Sequence, residues 1–390
     1  MKAKLIVGLA LASLLLPSHP EPELRTGAYV QDVTIASAKV CWVGHPATAV
    51  ELRVASSNGG TTPKVSWLMR GRRCVAHVTE LLPDTDYTFT ATLDGAGRDD
   101  LSGSFRTPPA TTDTKVRFVV VGDSGGLPWW VNVSRSPLFG TLANWSLLPA
   151  DGDVTRIGRL LASLQPAFWI HTGDIIYPRG EQRHYTPGFF VPFAEALRRS
   201  PVYPVLGNHD WEWDHGRPFL ANFELPEGGD EQFFTFAWGP VRVVGLNMNL
   251  SVGIEPGIAF MHKVLAEANE PWRIVVVHFP PWSASDQGDR PDLIERFVPA
   301  LVTAKVDVLL CGHDHNYQRF QPEGNTHFVV TGGGGKSLYK LREHPRLLKA
   351  VSVYHVCEVT CEPTRFSLRA LDVEGQPVDA FTLDKPQIGK

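Results

Sequence analysis

Five short segments of the chain place Asp, Asn or His directly after an apolar run. They read Gly122-Asp123-Ser124-Gly125, Gly173-Asp174-Ile175-Ile176-Tyr177, Gly207-Asn208-His209-Asp210, Val277-His278 and Gly312-His313-Asp314-His315. Carboxylate, amide and imidazole groups are ordinary protein ligands of metal ions. One Gly-Asp or Gly-Asn segment is usually only a turn. Five of them in series predict that the side chains share one metal centre.

The apolar runs have the length and composition of buried strands. The predicted strands of this region cover 116–121, 167–170, 202–206, 241–246, 274–277, 306–310 and 327–330. Helix-period stretches lie between several of them, at 155–164, 189–199, 258–268 and 292–304. Alternating strands and helices predict an α/β layered domain. In such a domain functional groups gather on the loops beyond the strand ends.

The chain before this region has a different pattern, of short strands separated by turns. The stretch Leu82-Pro-Asp-Thr-Asp-Tyr87, followed by alternating Thr and apolar residues, resembles a fibronectin type III-like β-sandwich, and Trp42 resembles its core tryptophan. Thr107–Asp113 has the composition of a linker. We therefore predict a sandwich domain over 24–110, an accessory by function, and a catalytic domain over 114–385.

Composition excludes several classes of protein. Lys plus Arg is 37 and Asp plus Glu is 41, giving a net charge of −4, and no block of like charge occurs. A nucleic-acid binder that depends on bulk charge is therefore not expected. No apolar run is long enough for a multi-span membrane protein. The sequence leaves the oligomeric state open.

The N-terminus predicts export. Lys2 and Lys4 precede an apolar run over Leu5–Leu16 that Pro17 ends, which is typical of a signal peptide over 1–20. An uncleaved N-terminal anchor is the alternative. We expect a secreted or periplasmic protein, and in an oxidising compartment Cys41 and Cys74 are candidates for a disulfide.

The five segments resemble the metallophosphoesterase superfamily and, within it, the purple acid phosphatases. The pattern of that family is G-D-x-G, G-D-x-x-Y, G-N-H-D/E, V-x-x-H and G-H-x-H in this order. Each motif is intact here, the fourth as Val275-Val-Val-His278. Tyr177 distinguishes this family from relatives that use a histidine near the first motif. The resemblance implies a layered α/β/β/α metallophosphoesterase sandwich after the small all-β domain.

The resemblance also implies two adjacent metal ions. The first would be held by Asp123, Asp174, Tyr177 and His315, and the second by Asp174, Asn208, His278 and His313. Asp174 would bridge them. A phenolate and two carboxylates suit Fe(III), whereas two imidazoles, an amide and a shared carboxylate suit Zn, Mn or Fe(II).

By the same resemblance, the chain is an exported phosphatase acting on phosphomonoesters by direct attack of a metal-bound hydroxide. Asn208 and His209 would contact the phosphoryl group, His209 would protonate the leaving oxygen, and Asp210 would orient His209. The partner is then a small phosphate ester.

One departure from the family pattern concerns the leaving group. Family phosphatases place a second free histidine about ten residues beyond the V-x-x-H histidine, where this chain has Asp286 and Gln287. Glutamine donates a hydrogen bond but no proton. Gln287 is predicted to bind substrate, and a phosphodiesterase or nucleotide hydrolase on the same metals is the alternative. A binding protein built on an inactive hydrolase would lack at least one ligand, and all seven are present.

Overall fold

A computed structural model of the chain describes residues 25–44, 49–59, 62–70, 72–125, 152–226 and 232–386. The predicted signal peptide, 1–20, lies outside these residues. Within them, twenty strands form four sheets. Of the described helices, none is both long enough and apolar enough to cross a membrane.

The N-terminal region is a seven-stranded β-sandwich. One sheet has the order β1-β2-β5-β4 and the other β3-β6-β7. The strands are β1 Tyr29–Gln31, β2 Ser37–Val43, β3 Val50–Ser56, β4 Lys64–Arg70, β5 Arg73–Thr79, β6 Asp86–Leu93 and β7 Ala96–Arg106. Trp42 is buried on β2. The Tyr87 hydroxyl accepts a hydrogen bond from the Leu82 backbone N–H at 2.7 Å, as in the tyrosine corner of such sandwiches. The predicted small all-β sandwich is confirmed.

Cys41 and Cys74, the candidates for a disulfide, are not bonded to each other. In the β2–β5 ladder Cys41 lies opposite Val75, and Cys74 lies opposite Trp42. Successive side chains of a strand point to opposite faces, so the two thiols lie on different faces of the sheet. All five cysteines of the chain are buried free thiols.

Two further sheets pack face to face in the second region. The six-stranded sheet has the order β10-β9-β8-β18-β19-β20, and the seven-stranded sheet has the order β11-β12-β13-β14-β16-β15-β17. Their strands are β8 Val116–Val121, β9 Trp169–His171, β10 Val202–Pro204, β11 Phe233–Trp238, β12 Val241–Leu246, β13 Trp272–Val276, β14 Val308–Cys311, β15 Tyr317–Glu323, β16 Thr326–Thr331, β17 Leu347–Val351, β18 His355–Glu362, β19 Arg365–Asp372 and β20 Pro377–Asp384. Phe168 and Phe236 meet between the sheets with ring centroids 5.2 Å apart.

Helices cover the outer faces of both sheets. They are α1 Gly152–Leu164, α2 Gln182–Tyr185, α3 Ala194–Leu197, α4 Asn208–Glu212, α5 Arg217–Asn222, α6 Glu255–Ala266 and α7 Val298–Thr303. π-Helical turns at Thr186–Phe190 and Leu293–Phe297 and a 3-10 turn at Asp214–Gly216 extend α2, α7 and α4. Met261 and Leu301 pack in the outer core of the seven-stranded sheet, and Ile157 of α1 is buried with the six-stranded sheet. The predicted α/β/β/α layering is confirmed.

Candidate metal centre

The five predicted segments begin at the carboxyl ends of parallel strands. β8, β9 and β10 run parallel in one sheet, and β13 and β14 run parallel in the other. Asp123, Asp174 and Asn208 follow the first three strands, and His278 and His313 follow the other two. Since the two sheets face each other, the structure brings these loops together at one edge of the double layer.

One half of the centre is rich in oxygen ligands. The Tyr177 hydroxyl lies 3.3 Å from Oδ1 of Asp123, 3.1 Å from Oδ2 of Asp174 and 3.0 Å from Nε2 of His315. All four side chains are buried. This is the predicted first ligand set.

The other half is rich in nitrogen. Nε2 of His278 lies 3.4 Å from Oδ2 of Asp174 and 3.0 Å from Oδ1 of Asn208. Nδ1 of His313 lies 3.1 Å from the same Asn208 oxygen and 3.3 Å from Nε2 of His278. The ligand atoms of Asp174, His278 and His313 all fall within 4.8 Å of one another. Asp174 contacts both halves, as a bridging carboxylate would.

The orientation of two imidazoles fits metal ligation. Nδ1 of His278 donates to the Thr172 carbonyl at 2.9 Å, and Nδ1 of His315 donates to the Ser337 carbonyl at 2.8 Å. In the neutral rings each Nε2 then presents a lone pair to the centre, where carboxylate and amide oxygens also converge. Backbone carbonyls hold ligating histidines in this tautomer in many metal sites. A group of facing acceptors is stabilised by cations, so these residues fit a pair of metal ions.

Burial and the charges of neighbouring side chains shift the pKa values of three residues of the centre. Although burial alone would raise it, the pKa of Asp174 is held well below its usual range by His278. Burial would lower the pKa of His278, but the charge and hydrogen bond of Asp174 raise it to about 9. Burial, with the charges of Asp174 and Asp123, raises the pKa of Tyr177. Protons therefore sit on His278 and Tyr177 until a metal ion replaces them.

Three of these residues have left-handed backbone conformations. The φ angles are 57° at Asp123, 52° at Asp174 and 71° at His313. Residues other than glycine enter this region at a cost of order 1–3 kcal/mol, and they persist where surrounding contacts fix them, often at functional sites. The backbone here is bent to direct side chains into one space.

His209 lies beside the centre and outside both ligand sets. Its backbone N–H donates to Oδ1 of Asp174 at 2.9 Å, and its ring Nδ1 donates to the Pro178 carbonyl at 2.6 Å. Nε2 is 4.0 Å from Oδ2 of Asp174. The imidazole is partly exposed and therefore accessible to a bound substrate.

The predicted orienting role of Asp210 has to be corrected. Its carboxylate accepts hydrogen bonds from the backbone N–H of Ile175 at 3.1 Å and of Gly207 at 3.0 Å. It thus caps the start of α4 and ties that helix to the Asp174 loop. The Pro178 carbonyl, which the sequence does not single out, holds the His209 ring instead.

Gln287 lies at the margin of the centre. It is exposed. Burial raises the pKa of the Tyr339 hydroxyl to about 12, and the nearby Gln287 side chain acts in the opposite direction. The Tyr339 ring stacks on the His315 ring with centroids 4.0 Å apart. Tyr339 and Lys336, which follow the run Gly332–Gly335 at the end of β16, are not among the predicted site residues.

The remaining loop residues have other roles. His171 contacts the Ser124 hydroxyl at 2.9 Å, and Nε1 of Trp211 donates to Ser251 at 2.7 Å. Trp213 is exposed. Trp129, Trp130 and Trp145 lie outside the described residues.

The fold and the centre define a metallophosphoesterase. The sequence profile of the calcineurin-like phosphoesterase family matches residues 116–317, and the chain belongs to this family. Tartrate-resistant acid phosphatase type 5 of Sus scrofa is 29% identical over 262 residues, which are 59% of this chain and 73% of that protein. Purple acid phosphatase 4 of Arabidopsis thaliana is 27% identical over 260 residues, 58% of this chain and 70% of that protein.

A solved structure extends the likeness to nearly the whole fold. The structure of PhoD matches with a TM-score of 0.69 at 12% identity, over 95% of this chain and 92% of that one. The chain is thus a metal-dependent phosphoester hydrolase, homologous to the tartrate-resistant and purple acid phosphatases, a family that uses a dinuclear metal centre.

Proposed function

We propose that the protein is an exported phosphatase of the acid phosphatase type that hydrolyses phosphomonoesters. The observation that carries this proposal is the grouping of seven ligand-type side chains, Asp174 at their centre, with His209 beside them and outside the ligand sets. Relatives named acid phosphatases support the choice of substrate class. The basic and apolar N-terminus supports export.

The ligand assignment is the one implied by the sequence. Asp123, Asp174, Tyr177 and His315 would hold Fe(III), and Asp174, Asn208, His278 and His313 would hold Zn, Mn or Fe(II). Two such ions, when bound, lower the pKa of water by many units and neutralise charge on the phosphoryl oxygens. No serine or cysteine nucleophile is required.

His209 supplies the proton for the leaving group. The Pro178 carbonyl accepts from Nδ1 and fixes the ring, so Nε2 remains for the substrate. In the imidazolium form Nε2 carries a proton that it can transfer to the leaving oxygen. The side chains of Asn208, Gln287 and Tyr339 add hydrogen-bond donors around the phosphoryl group.

A phosphodiester or nucleotide is the second candidate substrate, favoured by the neutral amide of Gln287 where family phosphatases carry a histidine. Metal-loaded protein should be assayed with p-nitrophenyl phosphate and bis(p-nitrophenyl) phosphate. We expect the monoester to have the higher kcat/KM. The reverse preference would replace the first proposal by the second.

Export is tested separately with the full chain in a bacterial host. We expect activity outside the cytoplasm and a mature N-terminus beyond residue 17. Full-length protein retained in the cytoplasm would contradict export without affecting the assignment of activity.

A further inference from the structure

The segment after the glycine run forms one wall of the centre. The Lys336 backbone N–H donates to the Asp123 carbonyl at 3.1 Å. The Ser337 carbonyl accepts from His315, and the Tyr339 backbone N–H donates to the His315 carbonyl at 3.0 Å. The backbone of this segment is therefore bonded to two of the predicted ligand residues, and these bonds fix the positions of its Cα atoms relative to the centre.

The Lys336 side chain lies against the ring of a predicted ligand. Its Nζ is 4.6 Å from the centroid of the Tyr177 ring, whose hydroxyl contacts Asp123 and Asp174. The His209 ring lies 4.5 Å from the same Tyr177 ring, centroid to centroid. Lys336 and His209 thus both flank the Tyr177 ring, one by its ammonium and the other by its imidazole.

The electrostatics agree with this placement. Burial lowers the pKa of His315 to about 4, and the charge of Lys336 contributes in the same direction. The Lys336 ammonium is therefore close enough to act on groups inside the centre. Lys336 carries a side-chain ammonium, whereas the neighbouring Gln287 and Tyr339 offer uncharged donors.

The charge of the substrate makes this cation selective. Above pH about 6 a phosphomonoester carries up to two negative charges on its phosphoryl oxygens, whereas a diester carries one. Lysine binds phosphate as a point charge, so its contribution grows with the charge of the ligand.

We propose that Lys336 is a specificity-determining residue, whose ammonium binds a non-bridging phosphoryl oxygen and favours monoester dianions over diester monoanions. The inference rests on the proposed function, namely that this centre binds phosphate esters. The loop after β16 then provides the selectivity for monoesters over diesters that the uncharged side chain of Gln287 does not provide.

Calorimetric titration of metal-loaded protein with inorganic phosphate at pH 7 tests the inference. Hydrogen bonds to charged groups are worth about 1.5–3 kcal/mol, so K336M should weaken phosphate binding roughly 10- to 100-fold. K336R should recover most of the affinity. K340M removes the same charge from an exposed position on the same segment and should bind as the wild type does.

Kinetics with the two nitrophenyl esters give a second readout. K336M should lower kcat/KM for the monoester at least about tenfold more than for the diester. Wild-type phosphate affinity and an unchanged ester ratio in K336M would overturn the proposal. So would loss of metal ions from K336M, which would make the lysine a structural support of Tyr177.

The two proposals fail in different measurements. A wild-type enzyme that prefers the diester contradicts the proposed function. The phosphate affinities of wild type and K336M still decide the role of Lys336 in that case.

Discussion

Asp174 contacts residues of both halves of the centre. Its carboxylate accepts from the Tyr177 hydroxyl and from the His209 backbone, and it lies 3.4 Å from Nε2 of His278. Its backbone has a positive φ. An aspartate tolerates a positive φ better than most residues. The residue type that the ligand role requires is therefore also compatible with this backbone conformation.

Tyr177 decides whether iron is the metal on the oxygen-rich side. Burial and two carboxylates raise the pKa of its hydroxyl, so only a strongly charged cation holds it as a phenolate at acidic pH. Iron-loaded wild type should show a visible tyrosinate-to-iron absorption band, and Tyr177→Phe should lack it. Tyr339→Phe, which changes a neighbouring phenol that stacks on His315, should keep the band. A colourless and fully active wild type would exclude iron there.

His209 should affect turnover and leave metal binding intact. Asparagine at position 209 can donate a hydrogen bond but no proton. Loss of a general acid typically costs 10²- to 10⁴-fold, so His209→Asn should lower kcat by about that range with two ions still bound. His215→Asn, an exposed change on the same segment, is the control. Metal analysis and steady-state kinetics check both variants, and normal turnover in His209→Asn would remove the proposed role.

At the scale of elements, strand ends and tight loops position the ligands. The loop after β10 approaches the loop after β9 so closely that no side chain fits between them. A Cβ at Gly207 would overlap Oδ1 and the backbone N of Asp174. The Asp210 carboxylate joins the same two loops. The φ of Gly207 is −89°, which any residue can adopt. Glycine is therefore required at this position because there is no room for a side chain, and not because of its backbone conformation.

Gly207→Ala should displace the Asp174 carboxylate. Because that group contacts both ligand sets, we expect metal content to fall below two ions per chain and kcat to fall at least about tenfold. Gly97→Ala on β7 is the matched control, as its Cβ would meet nothing within 4 Å. Metal analysis after dialysis distinguishes the variants, and a Gly207→Ala protein with full metal content would contradict this packing argument.

At the scale of the whole molecule, the sandwich and the catalytic region share a buried polar interface. Arg73 of β5 pairs with Glu224, and both side chains are buried. Nζ of Lys39 lies 3.3 Å from the same carboxylate. The Tyr29 hydroxyl donates to the Asn222 carbonyl at 2.7 Å. The sandwich therefore packs on the segment that follows α4, the helix that begins with Asn208 and His209.

Breaking one side of this buried pair should be costly. Glu224→Gln leaves the Arg73 guanidinium buried without its counter-charge, which typically costs 3–5 kcal/mol. We expect a loss of about that size in the free energy of unfolding, measured with urea. The double variant Arg73→Met/Glu224→Leu should recover most of it.

The exposed pair of Arg365 and Asp384, at 2.9 Å, provides the comparison. Arg365→Met should cost far less free energy of unfolding than Glu224→Gln, because exposed ion pairs contribute little. Equal losses in Glu224→Gln and Arg365→Met would show that the interface pair is not energetically special.

The sequence determined the layered α/β class, the small sandwich and the segments that reach one edge of the sheets. These properties follow local patterns, since apolar runs make buried strands and a polar residue after glycine ends them. The helix predicted at 189–199 was only partly right, because a π-helical turn and a short helix share that span. Strands β17–β20 were not predicted, although β18, β19 and β20 pair with one another in chain order; only the pairing of β18 with β8 is distant in the chain.

Only the tertiary structure decided the contacts of individual side chains. Asp210 caps a helix, Cys41 and Cys74 lie on opposite faces, and Lys336 and Tyr339 reach the centre from beyond β16. Apart from the bond of Asp210 to Gly207, the partners lie on loops or strands far away in sequence, as Ile175 does for Asp210. Local residue types cannot specify which distant backbone carbonyl or ring will lie within hydrogen-bond or stacking distance, because that depends on how the two sheets pack.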